Sequence, residues 1–304
     1  KKIYEYTQYL KFLKLRKVRG FKDSEPINLH LVFTGNPGTG KTTVAKMLGK
    51  IYKKLGLLSK GSVHEVSRAE LVGQYIGQTA PKVKEIIDKA RGGILFIDEA
   101  YALTRSNEDS KDYGHEVIET LVKEMSDGKG DIAIVAAGYP KEMGVFLSSN
   151  PGLKSRFGVK IEFPDYLPNE LSAISGLAAK KNDVVFTKEA QNDLNLQVTE
   201  QFRNRDSSFG NARMVYTMVE EAKMNMGLRV MTSNDEPQSL SDDELRNIDY
   251  QDVRAIRDKD KKELPNLPID EELLQDALAE LNSLVGLSQV KEQVNELVKL
   301  VYFY

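Results

Sequence analysis

The chain has no cysteine, no tryptophan and only three histidines in 304 residues. The first absence excludes disulfides, thiolate metal sites and cysteine nucleophiles. His30, His64 and His115 stand far apart without the spacing of a metal site, so they read as surface or strand-end residues. An excess of one charge is also lacking: 43 basic residues face 45 acidic ones, a net charge of −2. Overall electrostatics therefore give no pull toward nucleic acid. No apolar run approaches the roughly 18 residues that span a bilayer. The first 22 residues hold eight basic side chains and one acidic, without the apolar core of a signal peptide. What remains, 40% hydrophobic and 29% charged, is ordinary for a globular chain of one large domain and a smaller one.

Apolar residues at helical spacing among lysines predict an amphipathic helix from Ile3 to about Gly20, and Asp23-Ser24-Glu25-Pro26 reads as a turn. Leu29 to Thr34 is a short apolar strand of the kind buried in a parallel sheet, and a helix follows from Lys41 to Gly56. Ser62 to Val66, Gly93 to Asp98, Ile132 to Ala137 and Lys160 to Phe163 are further strands, with helices between them at Ala80 to Ala90 and His115 to Met125. Strands alternating with helices predict an α/β domain built on a parallel sheet. After Phe163 the strands stop, and three helices are expected at 168–181, 188–202 and 211–226. The domains expected are thus an α/β unit over 1–164, a small all-α lid over 165–231, an acidic linker over 232–270 and a helical segment over 271–304. The linker reading rests on composition, since residues 233–272 carry 13 acidic and 6 basic residues, with a short helix around Asp252.

Gly35-Asn36-Pro37-Gly38-Thr39-Gly40-Lys41-Thr42 fits the pattern G-x-x-x-x-G-K-[ST], directly after a strand and at the start of a helix. Its glycines let the backbone curl so that successive N–H groups face phosphates, and the helix N-terminus adds positive potential. Lys41 is expected at the β- and γ-phosphates of ATP, the Thr42 hydroxyl on Mg²⁺, and Thr43 completes the cradle. By composition the pattern arises by chance in about one chain in a hundred of this length, so a mere glycine turn is rejected. Ile94 to Ile97 is an apolar strand that ends in Asp98-Glu99. Two carboxylates at a strand end are weak alone, but beside a phosphate loop they gain roles: Asp98 for magnesium, Glu99 for the attacking water.

Three longer stretches carry a resemblance: Leu31 to Lys46, Leu71 to Pro81, and Asn150-Pro151-Gly152-Leu153-Lys154-Ser155-Arg156-Phe157. Together they resemble an AAA+ ATPase and, more narrowly, the family of red-type rubisco activase (CbbX) and stage V sporulation protein K. The resemblance covers about residues 9–230 and implies a P-loop sheet with flanking helices and a small helical lid. It implies a cytoplasmic ATPase with ATP and Mg²⁺ as cofactors, a ring oligomer (a hexamer) and a protein client. Position by position, it puts Arg156 where the arginine finger reaches a neighbouring subunit's γ-phosphate. Arg213, in Gly210-Asn211-Ala212-Arg213, matches the sensor-2 arginine on the lid. Tyr75 and Ile76, between Gly73 and Gly77, match the client-gripping loop that lines the central pore, and 105–113 stands where a second pore loop would be. Gly138-Tyr139-Pro140 departs from the polar sensor-1 residue of many relatives, which leaves Tyr139 without an assigned role.

The same machinery also serves two other classes, a nucleotide-gated assembly or secretion-system scaffold and a nucleic-acid-directed loader. Charge balance and the aromatic loop speak against the loader. Finally, Leu281 to Ser288 followed by Val290 to Tyr304 resembles the opening strip and helix of an AAA+ domain. It reads as the start of a second AAA+ domain, with a helix pair docked on the chain's own lid as the alternative; on the first reading the first domain lacks its own adenine-packing strip ahead of Lys1. Weak ATP affinity follows from that reading.

Overall fold

The computed structural model describes residues 2–21, 27–73, 75, 77–104, 113–233, 240–260, 271–283, 291 and 294. Its centre is a five-stranded parallel sheet of β1 (Leu31–Thr34), β2 (Val63–Val66), β3 (Ile94–Ile97), β4 (Ala133–Gly138) and β5 (Val159–Glu162). The strand order is β2-β3-β4-β1-β5, so β1 inserts beside β4 rather than beside β2. The three central strands, β1, β3 and β4, are buried along their whole length, which is why they read in sequence as unbroken apolar runs.

Alternate residues of these strands feed two cores. Val32, Leu95, Ile97, Ile134 and Ala136 pack on one face against α4 (Thr79–Ala90), α5 (Tyr113–Asp127) and α6 (Pro140–Ser148), through Val83, Ile87, Val117, Leu121 and Phe146. Leu31, Phe33, Ile94, Phe96 and Val135 pack on the other face against α1 (Lys2–Val18) and α2 (Lys41–Lys54), through Tyr6, Leu10, Leu48 and Tyr52. Each fully buried Leu or Ile contributes about 2 kcal/mol by area removed from water. Of the histidines, His30 precedes β1 and its Nδ1 accepts from Ile134 N at 3.0 Å. Burial pushes its pKa down to about 4, so it is a neutral acceptor.

The lid follows with α8 (Pro168–Lys181), α9 (Lys188–Arg203) and α10 (Ala212–Ser233), around a third core that includes Leu171, Leu194, Val215 and Val219. It does not end at 231. Residues 240–256, assigned by composition to an acidic linker, join this core: Ile248 and Val253 are fully buried, and Ile256 is nearly so. A two-residue strand (Asn247–Ile248) pairs in parallel with Val185–Phe186, between α11 (Asp242–Arg246) and α12 (Tyr250–Asp260). Acidic side chains helped hide this segment, because one of them is itself an internal partner. Asp252, 2% exposed, accepts from Arg229 Nε at 2.9 Å and Nη2 at 2.8 Å, and from Asp249 N at 2.8 Å. That pairing raises the pKa of Arg229.

Residues 257–304 form a unit apart, in which α13 (Glu271–Ser283) is helical. The turn at 23–26, the proposed second-pore-loop residues 105–112 and most of the strip and helix expected over 281–304 lie outside the described residues. Among the described residues, no helix is long and apolar enough to cross a membrane.

If 240–256 belongs to the lid, Asp252→Ala should cost about 3 kcal/mol of unfolding free energy, the size for truncating one partner of a buried ion pair. Glu244→Ala, at an exposed cap of α11, should cost less than about 1 kcal/mol. Urea unfolding of both variants measures this, and equal small losses would detach the segment from the lid.

Candidate functional site

The loop 35–40, Asp98-Glu99 and Gly138-Tyr139 all leave the C-terminal edge of the sheet, from β1, β3 and β4. These strands are adjacent in the order β3-β4-β1, so the three turns converge on one cleft of about 660 Å³. The opposite wall comes from the lid through Ile174, Leu177, Arg213 and Tyr216.

The loop's backbone explains its glycines. Gly38 and Gly40 lie in the left-handed region, with φ of 68° and 89°. A Cβ on Gly35 would come within 2.3 Å of Phe163 O, and one on Gly38 within 2.0 Å of Gly210 O. No side chain fits at either place. Gly40 then caps α2 with no side-chain hydrogen bond, and no acidic residue stands in the first turn. By contrast, Asn150 caps α7 (Pro151–Arg156) by accepting from Gly152 N at 2.7 Å. The first amides of α2 are thus left for an external anion, with the helix dipole behind them.

Lys41 Nζ donates to Gly35 O at 2.9 Å and Asn36 O at 2.8 Å, which arches the loop over its own ammonium. Its pKa is lowered, chiefly by burial. Asp98 and Glu99 work against that shift, and Arg213 adds to it. Lys41, Asp98, Glu99 and Arg213 therefore share one electrostatic neighbourhood. Glu99 has φ of 49°, a left-handed backbone that costs a non-glycine residue roughly 1–2 kcal/mol. Strain of this kind is held at sites where the surroundings fix it. Here Glu99 N donates to Asp98 Oδ1 at 3.0 Å and Glu99 O accepts from Ala102 N at 2.8 Å. The oxygen set of Thr42 Oγ1 and the Asp98 carboxylate, with Glu65 Oε1 at 3.4 Å from the threonine hydroxyl, suits a hard divalent cation. Glu65, on β2, had no signal in the sequence beyond alternating along a short strand.

Other expected residues fall elsewhere. Arg156, at the end of α7, faces a second cavity with Asn28, His30 and Ser126 rather than the cleft. It donates through Nε to Ser126 Oγ and through Nη1 to Gly152 O at 3.3 Å. Tyr75 is 67% exposed on a loop whose stem is tied by Gly73 N to Thr79 Oγ1 (3.2 Å) and Lys82 Nζ to Val72 O (2.7 Å). Ile76 lies outside the described residues. Tyr139 lines the cleft and packs on Tyr101, with ring centroids 5.8 Å apart.

Residues 31–165 match the ATPase family associated with various cellular activities (AAA), and 167–263 match an AAA lid domain. A CfxQ homolog of Guillardia theta is 42% identical over 241 residues, 79% of this chain and 81% of the relative. CbbX of Cereibacter sphaeroides is 40% identical over 256 residues, 84% of this chain and 81% of the relative. The chain belongs to the AAA ATPases, in the family of CbbX. Stage V sporulation protein K of Bacillus subtilis (strain 168) is 44% identical over 204 residues, 67% of this chain and 63% of that protein. Among solved structures, the FIGL-1 AAA domain superposes with a TM-score of 0.55 at 17% identity, over 82% of this chain and 78% of that one. A RuvB variant of Thermotoga maritima gives 0.52 at 23%, over 84% and 69%. These two speak for the AAA+ fold alone. As a family member the chain is an ATPase with a nucleotide-binding site, and the lid match running to 263 agrees with the burial of 240–256.

Because Gly38 touches the lid backbone, Gly38→Ala should lower ATP affinity at least about tenfold in a protein that still folds, since loop and lid cannot both keep their places. Calorimetric titration measures this. Unchanged affinity would mean that loop and lid separate when nucleotide binds.

Proposed function

We propose that the chain is a ring-forming, Mg²⁺-dependent ATPase of the cytoplasm that remodels or threads a protein client. The observation that carries the reading is the convergence of Lys41, Asp98, Glu99 and lid Arg213 on one cleft beside an uncapped helix N-terminus. The apolar wall of Met47, Tyr166, Ile174, Leu177 and Tyr216 takes the base, and Gly35 to Thr43 take the phosphates. Thr42 and Asp98 would hold Mg²⁺, which when bound would supply positive charge against the phosphates. Lys41 releases the loop carbonyls to face the same oxygens. Glu99 orients by hydrogen bond the water that attacks the γ-phosphorus and takes up its proton, while the bond from that phosphorus to the β–γ bridging oxygen breaks and ADP leaves. Arg213 adds a fixed positive charge from the lid, so lid angle and phosphate state depend on each other.

Arg156 supports the ring. It faces away from its own cleft, at the end of a short helix, which is where a residue serving a neighbouring copy's site belongs. Tyr75 supports a protein client: an exposed aromatic on a loop with a fixed stem and a glycine at φ 82° beyond it offers flat apolar surface to a peptide backbone.

Glu99→Gln should keep ATP bound and lower turnover by about 10³-fold or more, whereas Lys41→Ala should lose nucleotide binding. The parent's turnover should rise with a protein bearing an unstructured peptide tail and not with DNA, and Tyr75→Ala should abolish that rise while keeping basal turnover. Steady-state phosphate release and nucleotide titration measure these. Stimulation by DNA alone would favour the loader, and negligible turnover of the parent would favour the scaffold.

A further inference from the structure

Four consecutive residues of the phosphate loop are each hydrogen-bonded to the hinge or the base of the lid. Asn36 Nδ2 donates to Asp165 Oδ1 at 2.9 Å. Pro37 O accepts from Asn211 Nδ2 at 3.2 Å, Gly38 O from Ala212 N at 3.2 Å, and Thr39 O from Tyr166 Oη at 3.3 Å. Asn211 joins these strands of the network. It is fully buried, its Oδ1 accepts from Tyr166 N at 2.9 Å, and its Nδ2 also donates to Asp165 Oδ1 at 2.8 Å. Its φ of 48° is one that Asn tolerates better than most residues. On its outer side Asp165 Oδ2 faces Arg205 Nε at 3.5 Å. Neither Asp165 nor Asn211 lines the cleft.

The placement decides what this network does. Asn211 stands two residues before Arg213, at the entrance to α10, and Asp165 stands in the hinge between β5 and α8. A change in loop shape on phosphate binding must stretch these bonds or carry the lid with it. Left unmade, each buried polar group costs more than the bond was worth, so the joint moves as a unit. We propose that Asn211 is a positioning residue which, with Asp165, couples the phosphate loop to the first turn of α10, so that nucleotide in the loop sets the lid's orientation. This rests on phosphates binding at 35–42, but not on Arg213 touching them.

The test uses the full chain and three variants. Asn211→Asp keeps the acceptor for Tyr166 N and tolerates the same φ, but it removes the donors and sets a carboxylate against Asp165. Asp165→Asn with Asn211→Asp exchanges donor and acceptor and restores the 165–211 bond, though a carboxylate at 211 still cannot donate to Pro37 O or Phe209 O. Hydrogen exchange with and without ATP reads two regions separately, the loop and start of α2 (38–44) and the first turn of α10 (212–216). In the parent, nucleotide should slow exchange in both. In Asn211→Asp it should still slow the loop but no longer α10, with kcat down about tenfold and KM changed less than about threefold. The double exchange should recover part of the transmitted protection and of kcat, through the rebuilt 165–211 bond, with the Pro37 link still absent. A folded Asn211→Asp protein that transmits protection to α10 as the parent does would overturn the proposal. So would a double variant no better than the single one. Should Asn211→Asp not fold, Asp165→Ala carries the same measurement and the same expectation. Absence of loop protection in the parent would overturn the phosphate-binding reading itself, and the coupling with it.

Discussion

The loop after β1 is wedged between two backbones, and the rest of the site depends on that wedge. At Gly35 the neighbour is the end of β5, through Phe163 O; at Gly38 it is the lid, through Gly210 O. Both approaches are too close for any side chain, and positive φ at Gly38 and Gly40 bends the loop between them. The consequence is local and long-range at once. Locally, α2 begins without a cap and offers its amides to an anion. At long range, a sheet edge and a separate helical core meet on the same six residues.

On the proposed reading, catalytic roles follow from which elements reach this wedge. Strand order brings Asp98, Glu99 and Tyr139 beside it, because β3 and β4 are β1's neighbours on one side. The strained backbone of Glu99 is held by its N–H on Asp98 Oδ1 and by its carbonyl, which accepts from Ala102 N. Arg156 reaches none of this within one chain. On the proposed reading a single copy binds ATP but hydrolyses it poorly, and assembly completes the site.

The sheet was legible in the sequence because strands buried on both faces are written as apolar runs, so Leu31–Thr34, Ile94–Ile97 and Ala133–Gly138 stand out. The phosphate loop was legible because phosphate geometry demands glycines at fixed offsets. The true extent of the lid was not. Ile248, Val253 and Ile256 are sparse apolar residues among acidic ones, and Asp252 is an internal ion-pair partner that composition counts as solvated charge. α10 runs to Ser233, past the expected end at 226, on methionines and polar residues with little helical contrast. Asn211 was hidden for another reason. Three of its partners lie 45, 46 and 174 positions away, and in sequence it stands only as the first residue of an expected helix until the lid is folded onto the loop.

The central claim is that ATP is hydrolysed at a site completed by a second copy of the chain, and mixing two dead variants tests it most directly. Arg156→Ala alone and Lys41→Ala alone should each be inactive, the first for want of the neighbour's arginine and the second for want of bound nucleotide. Mixed in equal amounts under conditions where both assemble, they should recover a substantial fraction of parental phosphate release, because intact phosphate loops then meet intact arginines across interfaces. Mixtures that assemble yet release phosphate no faster than either variant alone would contradict the account.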